Sequence, residues 1–561
     1  MRIAVTAIGS ISAGRVAAPE ILATIHKEWP VGEVRMTNEQ LTKRVDVSPK
    51  ELLSRNSLLA LVAAKEALAD AGLTDAQSAD LLFVNGTTVG GMDLTEQHFS
   101  DWLNGQPVQP EILRQHEAHA TTMTVCRKLG FTPEPITIST ACSSALNALI
   151  VGAELIKKGT RTRVLVGGVE ALTRFHLNGF GSLGILSGQV CRPFSPDRDG
   201  INLGEGAAYL LLEEESAAIA RGAHIYGYVA GYGNRCDAYH QTASSPEGEG
   251  AFLAMQDALR MAGLQPDDIE YLNAHGTATP NNDASESRAV ERLFGTPLLA
   301  DENHLEKDIH TRWPEPVSTK NSTGHTTSAS GAIEAVFCLK VMAERGYRYV
   351  MTNAFAFGGN DSSLILSSLP TCIGEHEAAQ KVLCKTVPPT EWGGGASEAR
   401  VLQDTSCAPP PLSPMQLRRL TPQMRTLLAA AQDALAKAGF AAPDAIVVGT
   451  RWGGITPTVA LLKSLAENGE QDFSPSLFMQ STHNTPAATL ARLLGCQGFN
   501  ITYCSEDVAD LRLSTIGCPE GAVLVCSYDE DEPTWTALLA QAGIKLTPAA
   551  KATVITNSVN P

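Results

Sequence analysis

A cysteine in this sequence stands where many folds place a nucleophile. Cys142 follows a run of β-branched residues, Ile136–Thr140, that predicts a strand, and it precedes a helix that begins at Ala145. A thiol at a helix N-terminus faces unsatisfied N–H groups and the positive end of the helix dipole, which favour the thiolate. Ser143 and Ser144 could cap the free amides of that helix. The position predicts a nucleophile, although a single free cysteine is most often an inert core residue.

Two histidines lie in motifs that are rich in glycine and hydroxyl residues. His275 lies in NAHGTATP at 273–280, and His325 closes TKNSTGH at 319–325, before a helix of small residues. A further motif, NAFAFGGN at 353–360, combines aromatic residues with a glycine turn. One histidine alone is more often structural than functional, because histidine is intermediate in burial. The four motifs in one chain favour a functional interpretation.

The composition is that of a globular protein and disfavours several other classes. With 561 residues the chain is too long for one core, so two or more domains are expected. The net charge of −17 disfavours a nucleic acid or an anionic membrane as partner. The twelve cysteines lack CxxC and Cys/His ligand spacing, so neither a metal site nor a disulfide framework is predicted. We expect a cytoplasmic protein, because we find no signal-peptide pattern and no run that could span a membrane.

Strands alternate with amphipathic helices from the start of the chain, which predicts a layered α/β fold. The elements predicted around the Cys142 unit are the strands Ile3–Ile8, Leu81–Val84, Val164–Val169 and Ala207–Leu212 and the helix Ser57–Ala71.

The chain repeats part of itself after a connector. The matching segments are Glu66–Gly72 with Asp433–Gly439, Leu81–Val84 with Ala445–Val448, Cys126–Gly130 with Ala491–Gly495, and Arg163–Val166 with Ala522–Val525. We therefore predict a first domain at 1–369, an irregular connector at 370–415 and a second, shorter copy at 416–561. Lys381–Thr386 could already be the opening strand of that copy.

The motifs resemble, in type and in order, those of elongating β-ketoacyl-acyl carrier protein synthases. The matching segments are STACSS at 139–144, NAHGT at 273–277, KNSTGH at 320–325, FGG at 357–359, and RPFSPDRDG at 192–200 with GEG at 204–206. The resemblance covers residues 1 to about 369. It implies a thiolase-type fold in which two βαβαβαββ halves form five αβαβα layers. The sequence departs from the family pattern at Ala356, where glycine is usual, and at Asn360, where threonine is usual.

The resemblance also implies a reaction and its catalytic residues. Cys142 would take an acyl chain from its carrier as a thioester, and a malonyl carrier would then lose CO₂ and attack that thioester. His275 and His325 match the pair that stabilises the enolate. Lys320 matches the lysine that tunes the second histidine. The backbone amides of Cys142 and Phe357 match the oxyanion hole.

Further residues match the family's substrate contacts. Thr277 and Thr279 correspond to hydroxyls that contact the pantetheine arm, and Phe357 with Gly358 and Gly359 corresponds to the gate. Val89 falls where the family tunes the length of the acyl chain. No cofactor is implied, since the substrates travel on the phosphopantetheine arm of an acyl carrier protein, which is the implied partner.

The second copy lacks the matching chemistry. Cys142 falls opposite Asp507, only Cys504 or Ser505 comes near, and no counterparts of the two histidines follow. The segment resembles chain-length factors of aryl-polyene type pathways, reduced to a half-thiolase βαβαβ unit. We expect it to form an intramolecular pseudo-dimer with the first domain, with Trp452 opposite Val89. A usual homodimer and a decayed duplication that only packs are the alternatives.

Two other functions remain open on the sequence. A non-decarboxylating thiolase-type acyltransferase would also use a cysteine, and a non-catalytic chain-length or scaffold subunit would need none of these groups. The paired histidines favour a malonyl extender over the first, and the intact cysteine–histidine set counts against the second. The sequence does not determine the length or saturation of the acyl chain, the pathway, or the position of the patch that meets the carrier protein.

Overall fold

The alternating pattern of the sequence folds into strands and helices close to those expected. The computed structural model describes residues 1–20, 29–48, 50–295, 298–299, 317–373, 382–384, 420–469, 472–506 and 521–559. Most of the predicted connector and Asp507 therefore lie outside the described residues. The strands are β1 Ile3–Ser12, β2 Leu82–Gly86, β3 Ile136–Ile138, β4 Arg163–Glu170, β5 Gly206–Glu214, β6 Gly227–Cys236, β7 Tyr271–Asn273, β8 Tyr349–Ala356, β9 Asn360–Ser367, β10 Val382–Cys384, β11 Ala445–Thr450, β12 Phe499–Cys504, β13 Gly521–Asp529 and β14 Ala549–Val559.

The helices occupy the segments between these strands. They are α1 Asn38–Arg44, α2 Arg55–Ala71, α3 Asp75–Ala79, α4 Met92–Leu103, α5 Pro110–Leu113, α6 Ala118–Leu129, α7 Ser144–Lys157, α8 Arg174–Ser182, α9 Glu215–Ala220, α10 Glu249–Ala262, α11 Pro280–Phe294, α12 Lys320–Thr323, α13 Ser330–Arg345, α14 Pro422–Ala438, α15 Ile455–Asn468, α16 Pro475–Gln480, α17 Thr485–Leu494 and α18 Pro533–Gln541. Within the described ranges, no helix has the length and apolar character needed to cross a bilayer.

The strand order repeats as the sequence predicts. In the first half of the chain the order is β3-β2-β4-β5-β1, and in the C-terminal part it is β12-β11-β13-β14-β10. In both sets the second strand runs parallel to its two neighbours and the last two pairings are antiparallel. The strand β10 lies inside the segment 381–386 that was expected to open the second copy. The domain boundaries themselves stay a prediction.

Five layers follow from the way the helices bury their apolar faces. Helices α2 and α6 cover the outer face of the first sheet, and α10 and α11 cover the outer face of the sheet formed by β6 to β9. Helices α7 and α13 lie between the two sheets in one shared core. Helix α7 is buried almost all round, as expected for a helix whose sequence is apolar on every side. The arrangement confirms the predicted thiolase-type αβαβα fold.

The C-terminal copy joins the first domain through its strands. Strand β12 pairs antiparallel with β3, with Tyr503 opposite Ile138 and Cys504 opposite Thr137. The backbone N–H of Ser139 donates to the carbonyl of Thr502 at 2.9 Å. Together with the β1–β6 pairing, which links the two sheets of the first domain, these bonds connect all fourteen described strands in one hydrogen-bonded order. The strand that leads to Cys142 is therefore not a free edge.

Candidate active site

The nucleophile turn is a short 3₁₀ segment, Ala141–Ser143, between β3 and α7. Ala141 adopts a left-handed backbone conformation, with φ of 52°. Non-glycine residues rarely adopt it, and it occurs where surrounding structure enforces a functional geometry. Cys142 is buried and contacts Ala141 and Ala356. The turn thus holds the thiol at one position below the surface.

The two serines after Cys142 do not cap helix α7, which corrects the sequence-based expectation. The Ser143 hydroxyl oxygen lies 2.8 Å from the carbonyl oxygen of Thr140, and no side-chain cap is present at the start of the helix. The Ser144 hydroxyl donates to the carbonyl of Ala141 at 2.6 Å. Both side chains stabilise the turn itself rather than the helix amides.

Contrary to the prediction, the resting site does not favour the thiolate form of Cys142. Burial raises the pKa of the Cys142 thiol to about 12, although Lys320 and the backbone N–H groups of Phe357 and Cys142 act in the opposite direction. Desolvation of the charged form outweighs the local positive groups. Cys142 is therefore a thiol at neutral pH, and the two amides predicted for the oxyanion hole both approach its sulfur.

The two predicted histidines meet at this thiol. Nε2 of His325 lies 3.0 Å from Sγ of Cys142, and its Nδ1 lies 3.0 Å from the Ser330 hydroxyl. The rings of His275 and His325 are 5.3 Å apart at an angle of 83°. One ligand atom from each of the three side chains lies within 4.8 Å of the others. Such a group could hold a metal ion, and it equally suits a nucleophile flanked by two hydrogen-bonding imidazoles.

A buried ion pair sets the charge of the histidines. Nζ of Lys320 donates to Oε1 of Glu334 at 2.6 Å, and both side chains are almost fully buried. Burial lowers the pKa of His325 well below its usual value, and the Lys320 ammonium lowers it further. Burial, Lys320 and then His325 lower the pKa of His275 in the same way. Both imidazoles are therefore neutral, which lets each donate one N–H.

The loop after β7 holds His275 in place. The carboxylate of Glu286 accepts hydrogen bonds from the backbone N–H groups of His275 and Gly276, each at 2.8 Å. Gly276 has φ of 38°, a conformation that favours glycine. The predicted pantetheine contacts, Thr277 and Thr279, are next in the chain, and their hydroxyl oxygens are 2.8 Å apart.

The predicted gate residue, Phe357, lines the same cavity as Cys142. Phe357 stacks on Phe180 with ring centroids 5.7 Å apart. Gly358 and Gly359 have φ of 87° and 75°, which explains the two glycines at this turn. The carbonyl of Phe357 accepts a hydrogen bond of 2.8 Å from Asn484 Nδ2. The C-terminal copy therefore contacts the gate directly.

A central cavity of about 730 Å³, including its open mouth, extends from Cys142 to the C-terminal copy. Its wall is mostly aromatic and apolar, and both predicted pocket residues, Val89 and Trp452, belong to it. The lining residues are Thr88, Val89, Met92, His116, Ala141, Cys142, Phe175, His176, Phe180, Thr327, Phe357, Trp452, Thr458, Phe478, Ser481, Thr482 and His483. Thr277, Thr279, Gly358 and Gly359 do not line this cavity.

Several residues that position the site were missed by the sequence analysis. Glu170, at the end of β4, accepts hydrogen bonds from the backbone of Val89 at 3.0 Å and from the Thr327 hydroxyl at 3.1 Å. Ser330 and Glu334 lie on the helix after His325, beyond the end of the predicted motif. Their spacing gave no signal, because carboxylates and hydroxyls at helix positions are usually solvated.

Asn360 shows what one departure from the family pattern does. Its Oδ1 accepts from the Ser143 hydroxyl at 2.6 Å and from Asn147 Nδ2 at 2.8 Å. Its Nδ2 donates to the carbonyl of Asn500 at 2.5 Å. Asn234 completes the network, since its Oδ1 accepts from the backbone N–H of Asn500 at 2.9 Å. Strand β12 is thus linked to the nucleophile turn.

Family models match both parts of the chain. A model described as beta-ketoacyl synthase, N-terminal domain, matches residues 4–218, and one described as beta-ketoacyl synthase, C-terminal domain, matches 226–348. A second model with the N-terminal description matches 392–494. The second match begins within the predicted connector and extends into the C-terminal copy, where the strand order repeats.

Two curated relatives of the same description match the first part of the chain. The 3-oxoacyl-(acyl-carrier-protein) synthase 2 of Staphylococcus aureus is 36% identical over 317 residues, which are 54% of this chain and 75% of that protein. A protein of the same description from Synechocystis sp. is 35% identical over 325 residues, which are 56% of this chain and 74% of that protein.

Solved structures with this fold include ketosynthases paired with chain length factors. The ishigamide ketosynthase/chain length factor has a TM-score of 0.57 at 28% identity and covers 66% of this chain and 99% of that chain. The ketosynthase ApeO in complex with its chain length factor ApeC, from Xenorhabdus doucetiae, has a TM-score of 0.53 at 29% identity and covers 66% and 98%. The PfaC keto synthase-chain length factor covers 94% of this chain and 74% of its own, with a TM-score of 0.67 at 16% identity. That likeness is one of fold, and it extends into the C-terminal copy.

Proposed function

The chain belongs to the β-ketoacyl synthase family, and we propose that it condenses a cysteine-bound acyl group with malonyl-acyl carrier protein to give 3-oxoacyl-acyl carrier protein. The observation that supports this most directly is the distance of 3.0 Å between Sγ of Cys142 and Nε2 of His325 at the end of an apolar cavity. The pathway is fatty acid or polyketide synthesis. The chain's own residues suffice for the two half-reactions described below.

In the first half-reaction the Cys142 thiol attacks the carbonyl of an acyl carrier thioester. A bond forms between the sulfur and the acyl carbon, the carrier's carbon–sulfur bond breaks, and the thiol proton passes to the departing pantetheine sulfur. The neutral imidazole of His325 is within reach of that proton. The backbone N–H groups of Cys142 and Phe357 approach the same point, so they would bind the oxyanion.

In the second half-reaction a malonyl thioester replaces the released carrier. Loss of CO₂ leaves an enolate, whose carbon attacks the acyl thioester and releases the Cys142 sulfur as a thiolate, which takes up one proton to restore the resting thiol. Two neutral imidazoles can each donate an N–H to the enolate oxygen, because Lys320 and burial keep both rings uncharged. Protonated imidazoles would place positive charge in the site before the negative charge of the enolate has formed. The buried Lys320–Glu334 pair thus supports the reaction without touching the substrate.

The C-terminal copy shapes the acyl pocket in this proposal. Trp452, Thr458, Phe478 and His483 come from that copy and line the cavity that begins at Cys142. Asn484 holds the carbonyl of the gate residue Phe357. The copy has no histidine pair of its own, and Cys504 is buried at the end of β12. We therefore assign it the role of a chain-length partner that acts within the same chain.

The direct test of the function uses the full-length protein with defined carriers. The enzyme is mixed with an acyl-loaded carrier protein and malonyl carrier protein, and both protein and carriers are analysed by intact mass spectrometry. We expect an acyl adduct on Cys142, then a carrier-bound 3-oxoacyl product with two more carbons, formed with release of CO₂. An acyl adduct without any malonyl-dependent elongation would contradict the decarboxylative step and favour a simple acyltransferase.

His325→Ala should slow condensation more than acylation. It removes one of two donors to the enolate oxygen, a loss on the order of 10²–10³-fold for comparable single donors. The measurement compares malonyl decarboxylation and Cys142 acylation in the same variant. His224→Ala is a suitable control, because His224 is exposed and packs only on the Tyr226 ring. Undiminished decarboxylation in His325→Ala would show that the role given to His325 is wrong.

Val89→Phe should shorten the longest acyl chain that the enzyme accepts. Val89 is buried on the cavity wall and its backbone N–H is fixed by Glu170, so added volume projects into the cavity. Trp452→Ala, on the facing copy, should have the opposite effect and admit longer chains. Product lengths are read by mass spectrometry, with Val190→Phe on the exposed surface as control. If both pocket variants gave products of unchanged length, Val89 and Trp452 would not belong to the wall of the acyl pocket.

A further inference from the structure

Three histidines line the central cavity, and none of them belongs to the catalytic pair. His116 and His176 come from the first domain, and His483 comes from the C-terminal copy. Nδ1 of His116 lies 3.0 Å from the Thr95 hydroxyl, so part of its hydrogen-bonding capacity is used. Among the residues that the structure describes, none hydrogen-bonds to the imidazole of His176 or of His483. The reaction proposed above does not need these two rings.

We propose that the acyl chain bound in this cavity carries an oxygen function, either a hydroxyl or an oxo group, and that His176 and His483 recognise it. This inference rests on the proposed function and concerns only the class of acyl group. A purely saturated chain would leave both imidazoles facing hydrocarbon with no hydrogen-bond partner. A site whose buried polar groups match a substrate oxygen discriminates strongly against the analogue that lacks it.

The hydroxyls of the cavity wall all have partners in the protein: those of Thr88 and Thr327 donate to Glu170, and the other three pair within their own segments. The Ser481 hydroxyl donates to the carbonyl of Phe478 at 2.7 Å, and the Thr458 hydroxyl donates to the carbonyl of Gly454 at 2.7 Å. The Thr482 hydroxyl lies 2.9 Å from that of Thr485. These hydroxyls therefore make their hydrogen bonds to the protein itself. Each of the two imidazoles offers a donor and an acceptor that have no hydrogen-bond partner among the described residues.

Both rings are held in position by their surroundings. His176 packs edge-on against Phe478, with ring centroids 6.1 Å apart at 82°. His483 packs on the turn at Gly453, where φ is 62° and a Cβ atom would lie only 2.8 Å from Cδ2 of the ring. Any side chain at that turn would displace the imidazole. The glycine thus leaves space for His483, and it does so in the C-terminal copy, which has no reaction of its own.

The charge state of the rings suits a neutral oxygen group. Burial lowers the pKa of His483 to about 4 and lowers that of His176 as well. Near neutral pH each ring is uncharged and offers one N–H donor and one acceptor nitrogen. A hydroxyl can use both, and an oxo group can accept from the N–H. A carboxylate has no cationic partner among these rings. The aromatic side chains of Phe175, Phe180 and Phe478 line the cavity where the hydrocarbon part of the acyl group would bind.

The test measures which chains acylate Cys142. A saturated medium-length acyl-pantetheine competes with chains of equal length that each carry one hydroxyl or oxo group at a different carbon. Adducts on the full-length protein are quantified by intact mass spectrometry at early times. We expect at least one oxygenated chain to be preferred by about tenfold or more, the scale of a buried hydrogen bond that the saturated chain cannot make.

Variants then locate the preference. His483→Phe and His176→Phe keep an aromatic ring and remove the polar atoms, so we expect each to lose most of the preference, read in each variant as the ratio of oxygenated to saturated adducts. His224→Phe is the exposed control. Equal or better reaction of the saturated chain in the wild-type enzyme would overturn the inference and leave the proposed function intact. A preference that survives in both variants would also overturn it. If no chain acylates Cys142, the proposed function fails, and the inference fails with it.

Discussion

Cys142→Ala should abolish both acyl loading and condensation, with a loss of more than about 10⁴-fold in rate. The reaction needs a sulfur that first accepts and later releases the acyl group, and alanine can do neither. The turn itself should persist, because Ser143 and Ser144 brace it through backbone carbonyls and Asn360 holds Ser143. Acyl transfer is followed by mass spectrometry, and folding by the thermal unfolding midpoint.

Cys504→Ala is the matched control for this prediction. Cys504 is the cysteine of the C-terminal copy nearest to the position of Cys142 in the repeat, it is fully buried, and burial raises its pKa strongly. Among the described residues, no histidine forms a ring contact or a hydrogen bond with Cys504. We expect this variant to load and extend acyl groups normally. Retained condensation in Cys142→Ala near the wild-type rate would exclude Cys142 as the nucleophile.

The sequence predicted the fold well because its signals are local and repeated. β-branched runs and apolar helix faces marked the strands and helices, and the second copy reproduced them in the same order. Helix α2 begins at Arg55 and not at Ser57, and β1 extends to Ser12 and not to Ile8. Such shifts are expected, since element ends depend on caps and pairing that periodicity does not report.

The chemistry of the site was less predictable than its location. The motifs correctly suggested that Cys142, His275 and His325 lie together, and their atoms are within 4.8 Å. The predicted thiolate was wrong for the resting site, because a helix N-terminus is a local feature whereas desolvation depends on everything packed around the sulfur. Glu334 and Glu170 were missed for the same reason. Whether a carboxylate is solvated or buried beside Lys320 is decided by tertiary packing.

The sequence predicted only some of the contacts between the C-terminal copy and the first domain. The repeat predicted Trp452 opposite Val89, and both side chains line one cavity. The sequence held no sign that Asn484 would bind the gate or that Asn500 would join the network around Asn360. These contacts cross between segments more than a hundred residues apart. They arise from the pairing of β3 with β12, which no local pattern encodes.

Truncation after Leu369 should cost solubility or activity, or force the first domain to form a homodimer. It exposes β3 as an unpaired edge and uncovers the apolar wall formed by Leu113, Phe175 and Phe180, which now packs against Phe478 and other residues of the C-terminal copy. An open strand edge beside an apolar surface promotes association with another chain. We expect the truncated protein to aggregate or to form a homodimer, measured by size exclusion with light scattering.

Arg451→Ala tests the same interface in the full-length chain. The guanidinium donates two hydrogen bonds, of 2.9 and 2.8 Å, to the buried carboxylate of Glu117. Removal of one partner of a buried pair leaves an uncompensated charge and costs about 3–5 kcal/mol. We expect a lower thermal midpoint and altered product lengths, whereas Lys437→Ala, which breaks an exposed pair on α14, should change neither.

The two interface experiments together show whether the C-terminal copy contributes to the reaction or is not needed for it. If the C-terminal copy shapes the pocket, its loss removes Trp452, Phe478 and His483 from the cavity wall and Asn484 from the gate, so activity or chain length must change even in a truncated protein that dimerises. If two first domains form the functional dimer instead, the truncated protein will be stable, dimeric and fully active with unchanged product length. That result would refute the intramolecular arrangement, because none of its contacts would then be needed for the reaction.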